Sequence, residues 1–144
     1  MPSKQAAIVK KALALRPYTW ASGPIEKLRV MQDKSSRFFP IPRGAQVQSV
    51  RINDLNGEWI ASPNAGDAAI LYLHGGAYAI GSVASHRELL ARLARITQRK
   101  ILAIDYRLAP EHPFPAALED ATTSYRWLLS QGFDPARLAI AGDS

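Results

Sequence analysis

The sequence has no cysteine, no long apolar run and no block of like charges. Zero cysteines in 144 residues exclude a disulfide framework, a thiolate metal site and a cysteine nucleophile. No apolar stretch approaches the roughly 20 residues of a membrane span. Lys10 and Lys11 interrupt the N-terminal apolar stretch before it reaches the length of a secretory signal. We therefore expect no membrane span and, by default, a cytoplasmic location.

The charge distribution argues against a nucleic-acid partner. The formal net charge is +6, which raises the question of an anionic partner. The basic residues, however, occur singly or in pairs with acidic residues between them, so they form none of the runs typical of nucleic-acid binding. With 47% hydrophobic and 21% charged residues, the composition is that of a globular protein.

Residues 1–40 are predicted to form an N-terminal helical cap segment. Behind Ser3 as a candidate N-cap, apolar residues recur about once per helical turn over residues 6–15. A proline ends this helix, and Pro24 begins a second helical segment over residues 25–33.

Residues 41–144 are predicted to form the first half of an α/β domain, incomplete as given. From Gln46 the apolar period is two, and Asn56 followed by Gly57 is a strong hairpin signal, so an antiparallel strand pair is expected. Short apolar runs typical of buried parallel strands then alternate with amphipathic helical stretches. We predict strands at 68–73, 101–104 and 137–141 and helices at 85–96 and 115–131. This order is the signature of an α/β fold with a mostly parallel central sheet flanked by helices.

The first motif directly follows the strand predicted at 68–73. It consists of His74, Gly75, Gly76, Ala77 and Tyr78. It falls at the carboxyl edge of a parallel sheet, where open α/β folds bind ligands. Adjacent glycines allow backbone N–H groups to face a cleft and to stabilise a developing oxyanion. A simpler interpretation, a tight turn that needs glycine for positive φ, stays open on the residues alone.

The second motif is the end of the sequence, where a short apolar strand leads into Gly142, Asp143 and Ser144. These are the first three positions of G-x-S-x-G, in which a serine stands on a sharp strand-to-helix turn with its hydroxyl exposed. An ordinary helix-entry turn, capped by Asp143 or Ser144, explains the same residues.

The third motif, residues 105–115, has three prolines in six residues, which hold the connection rigid without regular structure. Asp105, Arg107 and Glu111 lie close to core strands and would need partners if buried. We interpret these three charged residues as an ion-pair network that shapes the loop.

Together the motifs resemble the hormone-sensitive-lipase family of bacterial carboxylesterases, which has the α/β-hydrolase fold. The resemblance rests on HGGAY at 74–78, DYRLAPEHPFPAALED at 105–120 and GDS at 142–144, in this order and spacing. It extends over the chain from about residue 46, and the N-terminal helical segment resembles the family's cap. Ala77 departs from the family, which usually has a third glycine there.

The resemblance implies a serine carboxylesterase that hydrolyses short to medium acyl esters through an acyl-enzyme. Ser144 would be the nucleophile, His74 would support the loop, and Tyr78 would line the substrate pocket. The oxyanion donors would be the residue after Ser144 and the backbone N–H groups of Gly75, Gly76 and Ala77. No metal and no organic cofactor is implied.

The resemblance also places the remaining catalytic residues and some backbone features. The catalytic aspartate and histidine are expected beyond residue 144, since the order in this fold is serine, acid, histidine. Three histidines therefore come too early to be the base: His74, His86 and His112. Cis peptide bonds are expected before Pro110 and Pro115. At Ala77 an ordinary negative φ is expected, because a Cβ penalises positive φ.

Two other functions remain open at this point. A non-catalytic receptor of the same fold would hold a small molecule in the pocket, and an amide or formamide hydrolase would use the same serine site. Retention of both the glycine loop and the serine favours catalysis. The expected partner is a small-molecule ester, and a homodimer is compatible with the sequence.

Overall fold

The computed structural model describes residues 23–143, together with Ser3, Ala7 and Lys11. Most of the helix predicted over residues 6–15 and the candidate nucleophile Ser144 lie outside the described residues. The second helical segment of the N-terminal part is confirmed as helix α1, Ile25–Ser36. The residue before it is a proline, whose missing N–H falls where a helix has no partner for it.

Five strands form one mixed sheet within residues 23–143. Their bounds are β1, Gln46–Ile52; β2, Leu55–Ala61; β3, Ala69–Leu73; β4, Lys100–Ile104; and β5, Leu138–Gly142. The order across the sheet is β1-β2-β4-β3-β5. Strand β3 lies between β4 and β5 and runs parallel to both, whereas β1 and β2, and β2 and β4, are antiparallel pairs. The predicted parallel strands therefore form one part of the sheet, and the hairpin forms the other.

The predicted hairpin is confirmed, but its turn is not at Asn56 and Gly57. The chain turns at Asn53, whose φ of 53° is left-handed, a conformation that asparagine tolerates. Asn56 and Gly57 lie within β2 and pair with β1. A Cβ on Gly57 would lie 2.7 Å from the carbonyl oxygen of Ala103. Glycine is therefore required by the close approach of β4, and not by a turn.

Two helices cover the sheet, α2 (Val83–Thr97) on one face and α3 (Ala116–Ser130) on the other. Strand β3 shows how the core is divided, since Ile70 and Tyr72 pack on the α2 side and Leu71 packs on the α3 side. The alternation follows from the two-residue period of a strand. A strand covered on both faces must be apolar at every position, as the sequence is here.

Helix α1 packs against α2, and a serine joins the two. Ser82 precedes α2, and its hydroxyl accepts from the N–H of Ser85 at 3.0 Å. The Ser85 hydroxyl accepts from the N–H of Ser82, also at 3.0 Å, which completes a capping box. The Ser82 hydroxyl also donates to Asp33 of α1 at 2.5 Å. The first turn of α2 is thus tied to the N-terminal helix.

The carboxyl ends of β3, β4 and β5 meet at one edge of the sheet. His74 follows β3, Asp105 follows β4 and Asp143 follows β5. The three sequence motifs are therefore brought together by the parallel part of the sheet, where ligands bind in α/β folds. Within residues 23–143 the structure has no helix long and apolar enough to cross a lipid bilayer.

Candidate active site

The glycine-rich turn, residues 74–80, reverses the chain at the carboxyl end of β3. Three successive residues in it have positive φ: Gly76 at 128°, Ala77 at 53° and Tyr78 at 58°. The Gly76 carbonyl accepts from the N–H of Ile80 at 3.0 Å. A Cβ on Gly76 would lie 2.2 Å from the carbonyl oxygen of Ile80. The tight-turn explanation for glycine therefore holds at this position.

The expectation of an ordinary negative φ at Ala77 is wrong. Its φ of 53° lies in the left-handed region, where a Cβ crowds the following carbonyl and costs roughly 1–2 kcal/mol. The turn imposes this conformation because it must bring Ile80 back against Gly76. Strain of this kind persists only where surrounding contacts fix the backbone.

We expect Ala77→Gly to stabilise the protein. Removal of the Cβ relieves the left-handed strain, and glycine's greater freedom in the unfolded chain cancels about 0.5–1 kcal/mol of that gain. The expected net gain of up to about 1 kcal/mol corresponds to a rise in Tm of roughly 2–4 °C. Ala79→Gly is the matched control, since Ala79 lies in the same turn without positive φ and should lower Tm. Equal losses of Tm in both variants would contradict the left-handed conformation.

The three N–H groups predicted as oxyanion donors do not have equal roles. The N–H of Gly75 donates to Oδ1 of Asp143 at 2.8 Å, and its role as an oxyanion donor stays a prediction. The N–H groups of Gly76 and Ala77 have no hydrogen-bond partner among the described residues. An oxyanion site needs such unpartnered donors, held in place before the reaction begins.

The Asp143 carboxylate joins three elements immediately before the candidate nucleophile. It accepts hydrogen bonds from the Gly75 N–H at 2.8 Å, from Tyr72 Oη at 3.0 Å and from His86 Nε2 at 3.2 Å. Burial disfavours its charge, but these three hydrogen bonds outweigh burial and hold the pKa of Asp143 below its ordinary value. Burial and the neighbouring carboxylate raise the pKa of Tyr72 to about 12, so this phenol stays a donor.

His86, in the first turns of α2, is held at both ring nitrogens. Nε2 must carry a proton, because the carboxylate that it contacts can only accept. Nδ1 lies 2.9 Å from the hydroxyl of Ser85 and 3.1 Å from the carbonyl oxygen of Ser82. The capping box of α2 therefore fixes the ring that binds Asp143. His86 therefore belongs to a hydrogen-bond network that joins α2 to Asp143.

His74 is buried at the start of the glycine-rich turn, with 4% of its surface exposed. Its ring stacks on Tyr106 at a centroid distance of 4.3 Å and on His86 at 5.6 Å. The Tyr106 hydroxyl donates to the His74 carbonyl at 2.6 Å. Burial lowers the pKa of His74, which favours the neutral ring. These contacts anchor the first residue of the turn to the β4 side of the site.

Arg107 organises the start of the proline-rich loop. Its backbone N–H donates to Oδ2 of Asp120 at 2.7 Å, and its guanidinium donates to Oδ1 of Asp120 at 2.7 Å and to Glu119 at 3.0 Å. Asp120 is 5% exposed, so its charge needs this partner. The two predicted cis peptide bonds, before Pro110 and Pro115, are both present.

The other two charged residues of this loop have separate partners. Glu111 pairs with Arg29 of α1 at 2.8 Å, and this guanidinium lowers the pKa of Glu111 to about 2. Asp105 accepts from the N–H of Val83 at 2.7 Å, at the first turn of α2. The interpretation as an ion-pair network is thus confirmed for Arg107 and Glu111. Asp105 instead satisfies an unpaired N–H at a helix start, as acidic residues commonly do.

A cleft of about 1470 Å³ lies over the glycine-rich turn and is mainly apolar. Gly76 and Ala77 line it, and Ile25 and Leu28 of α1 contribute to its wall. Tyr78 also lines the cleft and is 67% exposed. The predicted pocket residue therefore has access to a bound molecule, and its contact with substrate stays a prediction.

Strand β5 ends close against β3 at the position where the serine pattern requires a small residue. A Cβ on Gly142 would lie 2.6 Å from the carbonyl oxygen of Leu73. Glycine two residues before Ser144 is therefore needed for the two strand ends to approach, as in a sharp strand-to-helix turn. The position of Ser144 lies outside the described residues.

Sequence reasoning gave no role to Tyr72, His86, Asp143 or Arg29 in holding the site. Tyr72 carried a usable signal, because a phenol in a strand that is otherwise apolar needs a hydrogen-bond partner. No such signal in the sequence pointed to His86 or Arg29. His86 contacts Asp143, which is 57 residues away along the chain, and Arg29 contacts Glu111, which is 82 residues away.

The sequence is similar to those of known proteins. A family model described as the alpha/beta hydrolase fold matches residues 70–144. The chain is 38% identical over 147 residues to an acetyl-hydrolase of Streptomyces hygroscopicus, across 100% of this chain and 48% of that protein. It is 46% identical over 86 residues to an ethyl acetate hydrolase of Pseudomonas putida, across 57% of this chain and 27% of that protein. The chain thus spans no more than about half the length of these relatives.

Solved structures share the fold. The crystal structure of EstE5 superimposes with a TM-score of 0.92 at 40% identity, across 99% of this chain and 48% of that one. An esterase from the bacterial hormone-sensitive lipase family gives a TM-score of 0.86 at 37% identity, across 100% of this chain and 49% of that one. The family model covers more than half of the chain, and the mixed sheet with its covering helices has the same fold, so the chain belongs to the α/β-hydrolase family and is similar to the bacterial hormone-sensitive lipase group.

Proposed function

We propose that the protein is a serine carboxylesterase that hydrolyses esters through an acyl-enzyme on Ser144. The supporting observation is that the N–H groups of Gly76 and Ala77, which have no partner among the described residues, lie in a turn anchored to Asp143, the residue before Ser144. The hydrogen bond from Gly75 to Asp143 joins the glycine-rich turn to the serine motif. Acyl transfer needs this proximity, because the oxyanion forms at the carbonyl that the serine attacks.

In the proposed reaction, Oγ of Ser144 attacks the ester carbonyl carbon while its proton passes to a histidine base. The carbonyl oxygen becomes an oxyanion that accepts hydrogen bonds from Gly76 and Ala77. Collapse of this intermediate expels the alcohol, which takes up the proton, and leaves an acyl-serine. Water then attacks the acyl-serine by the same route and releases the acid. The base is proposed to follow Ser144 in the chain, because the order in this fold is serine, acid, histidine.

The observed contacts of the histidines support this placement of the base. His74 is buried in the stack with Tyr106, and His86 donates to Asp143. A base must reach the nucleophile's proton with a free ring nitrogen. Both ring nitrogens of His86 are engaged, at Nδ1 by Ser85 and Ser82 and at Nε2 by Asp143. His74 contacts the Gly75 carbonyl through Nδ1, and its Nε2, which has no partner among the described residues, is buried beneath the turn.

The proposed substrates are esters of short to medium acyl chains. The cleft over the turn is lined mainly by apolar residues, which suits the acyl and alcohol groups of an uncharged ester. Two similar proteins bear the names acetyl-hydrolase and ethyl acetate hydrolase. These names favour the shorter end of the range for this chain.

We expect a fluorophosphonate to modify the complete gene product at Ser144, because an elbow serine with a base partner is far more nucleophilic than a surface serine. Peptide mass mapping locates the adduct, and turnover of p-nitrophenyl esters from acetate to decanoate gives the chain-length profile. An adduct on a different serine would remove the proposed mechanism. Binding of esters without any turnover would favour the receptor alternative, and faster turnover of amides would favour an amide hydrolase.

Residues 1–40 are proposed to act as the cap of the active site, since α1 supplies part of the cleft wall and residues 41–144 carry the motifs. A cytoplasmic location is supported by the absence of cysteine from the sequence. A homodimer stays a prediction, to be checked by light scattering on the complete gene product.

A further inference from the structure

Arg29 of α1 uses all three nitrogens of its guanidinium on two loops of the candidate site. Nε donates to the Ala79 carbonyl at 2.7 Å, and Nη2 donates to the Ala109 carbonyl at 2.8 Å. Nη1 and Nη2 donate to the two carboxylate oxygens of Glu111 at 2.9 and 2.8 Å. The side chain is 23% exposed. A planar fork that satisfies two carbonyls and one carboxylate is a task that lysine cannot reproduce.

The Ala79 carbonyl belongs to the glycine-rich turn. The N–H of the same residue donates to the Gly76 carbonyl at 3.0 Å. The preceding carbonyl, that of Tyr78, accepts from the Ala109 N–H at 2.8 Å. Arg29 and Ala109 therefore hold the two successive peptide groups that close the turn.

The turn needs external contacts because its backbone is strained. Gly76, Ala77 and Tyr78 all have positive φ, and such conformations persist where the surroundings fix them. On one side of the Gly76 and Ala77 N–H groups, Asp143 holds Gly75. On the other side, the contacts from Arg29 hold the end of the turn. The two candidate oxyanion donors thus lie between two anchored ends.

We propose that Arg29 is a positioning residue for the oxyanion hole. Through the Ala79 carbonyl it fixes the direction of the Gly76 and Ala77 N–H groups, so that the N-terminal helix sets the rate of the chemical step. This inference rests on the proposed esterase function. Arg29 touches no reacting atom, and its effect is geometric: a displacement of about 1 Å in such a site costs on the order of 10²-fold in rate.

The test compares Arg29→Met with Arg29→Lys in the complete gene product. Arg29→Met is expected to lower kcat about 10- to 100-fold with KM within a few-fold of wild type. A phenylboronic acid, whose tetrahedral serine adduct places an oxygen in the oxyanion hole, should bind more weakly by a similar factor. Arg29→Lys should fall between, because an ammonium group reaches one carbonyl without the fork.

Two further variants separate this effect from a general loss of charge. Glu111→Gln removes the ion pair but leaves the contacts of Arg29 with Ala79 and Ala109, so it should change kcat less than Arg29→Met does. Arg92→Met is the matched control, since Arg92 pairs with Glu88 on α2. Its kcat should equal that of wild type, and thermal melts check that each variant is folded.

The outcomes distinguish the inference from the function on which it rests. A folded Arg29→Met protein with wild-type kcat and inhibitor affinity would overturn the inference, as would a higher KM with unchanged kcat, which indicates substrate binding. If Arg29→Met does not fold, Arg29→Lys decides: a lower kcat at normal KM supports the inference, and an unchanged kcat overturns it. Failure of the wild-type protein to turn over any ester would instead overturn the proposed function.

Discussion

Ser144→Ala in the complete gene product is expected to lower kcat on a short-chain ester by on the order of 10⁶-fold. The serine, its base and the acid act as one unit, so loss of the nucleophile removes the covalent step altogether. The small remaining rate would come from the oxyanion donors and from substrate binding. KM should change little, because Oγ contributes its bond only after the substrate is bound.

Steady-state kinetics with p-nitrophenyl acetate measure this change, and the matched control is Ser130→Ala. The Ser130 hydroxyl donates to the Trp127 carbonyl at the end of α3, so its loss should leave kcat unchanged. The fluorophosphonate adduct should disappear from Ser144→Ala and persist in Ser130→Ala. If Ser144→Ala kept more than a few per cent of wild-type turnover, the nucleophile would have to be another residue.

The buried strands could be predicted closely because a strand covered on both faces reads as a continuous apolar run. The run predicted at 101–104 became β4, which adds only Lys100, and the run predicted at 68–73 became β3, which begins one residue later. Helices could be predicted equally well, because their apolar period reports a single covered face. Helix α2 begins two residues before the predicted start, since Ser82 supplies the cap.

Backbone conformations imposed by distant atoms could not be predicted. Gly57 was interpreted as a turn residue, yet the reason for glycine there is the Ala103 carbonyl on a strand far along the chain. Ala77 was expected to avoid positive φ because of its own Cβ. The closure of the turn against Ile80 overrides that local preference. In both cases a tertiary contact decides the conformation, and local propensity does not.

In the candidate site, too, local features could be predicted from the sequence and long-range contacts could not. Its contiguous motifs were visible in the sequence, because the residues of the turn and of the serine motif are neighbours along the chain. The partners that hold these motifs come from other elements, as with Asp143 and His86 or Arg29 and Glu111. A single sequence contains no signal for pairs of that kind. The hydrogen bond from Gly75 to Asp143 could not be predicted for this reason, since its acceptor lies on the other motif.

The second large effect is expected at Asp143. Asp143→Ala leaves the Gly75 N–H, the Tyr72 hydroxyl and His86 Nε2 without their shared acceptor. A buried donor without a partner costs about 1–3 kcal/mol, but the Asp143 side chain is 40% exposed, so water replaces part of what is lost. We expect a loss of about 1–3 kcal/mol in the free energy of unfolding and a decrease in kcat of about 10²-fold from the displaced turn.

Asp143→Asn tests which contact matters. An asparagine oxygen still accepts from the Gly75 N–H, so kcat should fall much less than in Asp143→Ala. The charge of Asp143 also makes the stability of the protein depend on pH, because the pKa of Asp143 is depressed below its ordinary value of 3.8. The stabilisation is complete above about pH 3.8 and is lost as the pH falls through the lower, folded-state pKa. Asp143→Asn should therefore lose the corresponding pH dependence of Tm.

The matched control is Asp54→Ala, since Asp54 is fully exposed in the β1–β2 hairpin and should leave both kcat and Tm unchanged. The decisive comparison is the rate at which Ser144 is phosphonylated in the variant and in wild type. This rate depends on the geometry of the oxyanion site and does not depend on product release. A stable Asp143→Ala protein with wild-type kcat and phosphonylation rate would show that the anchor from Asp143 to Gly75 is not required for the reaction. The N–H of Gly75, released from that contact, would then be available to an oxyanion beside those of Gly76 and Ala77.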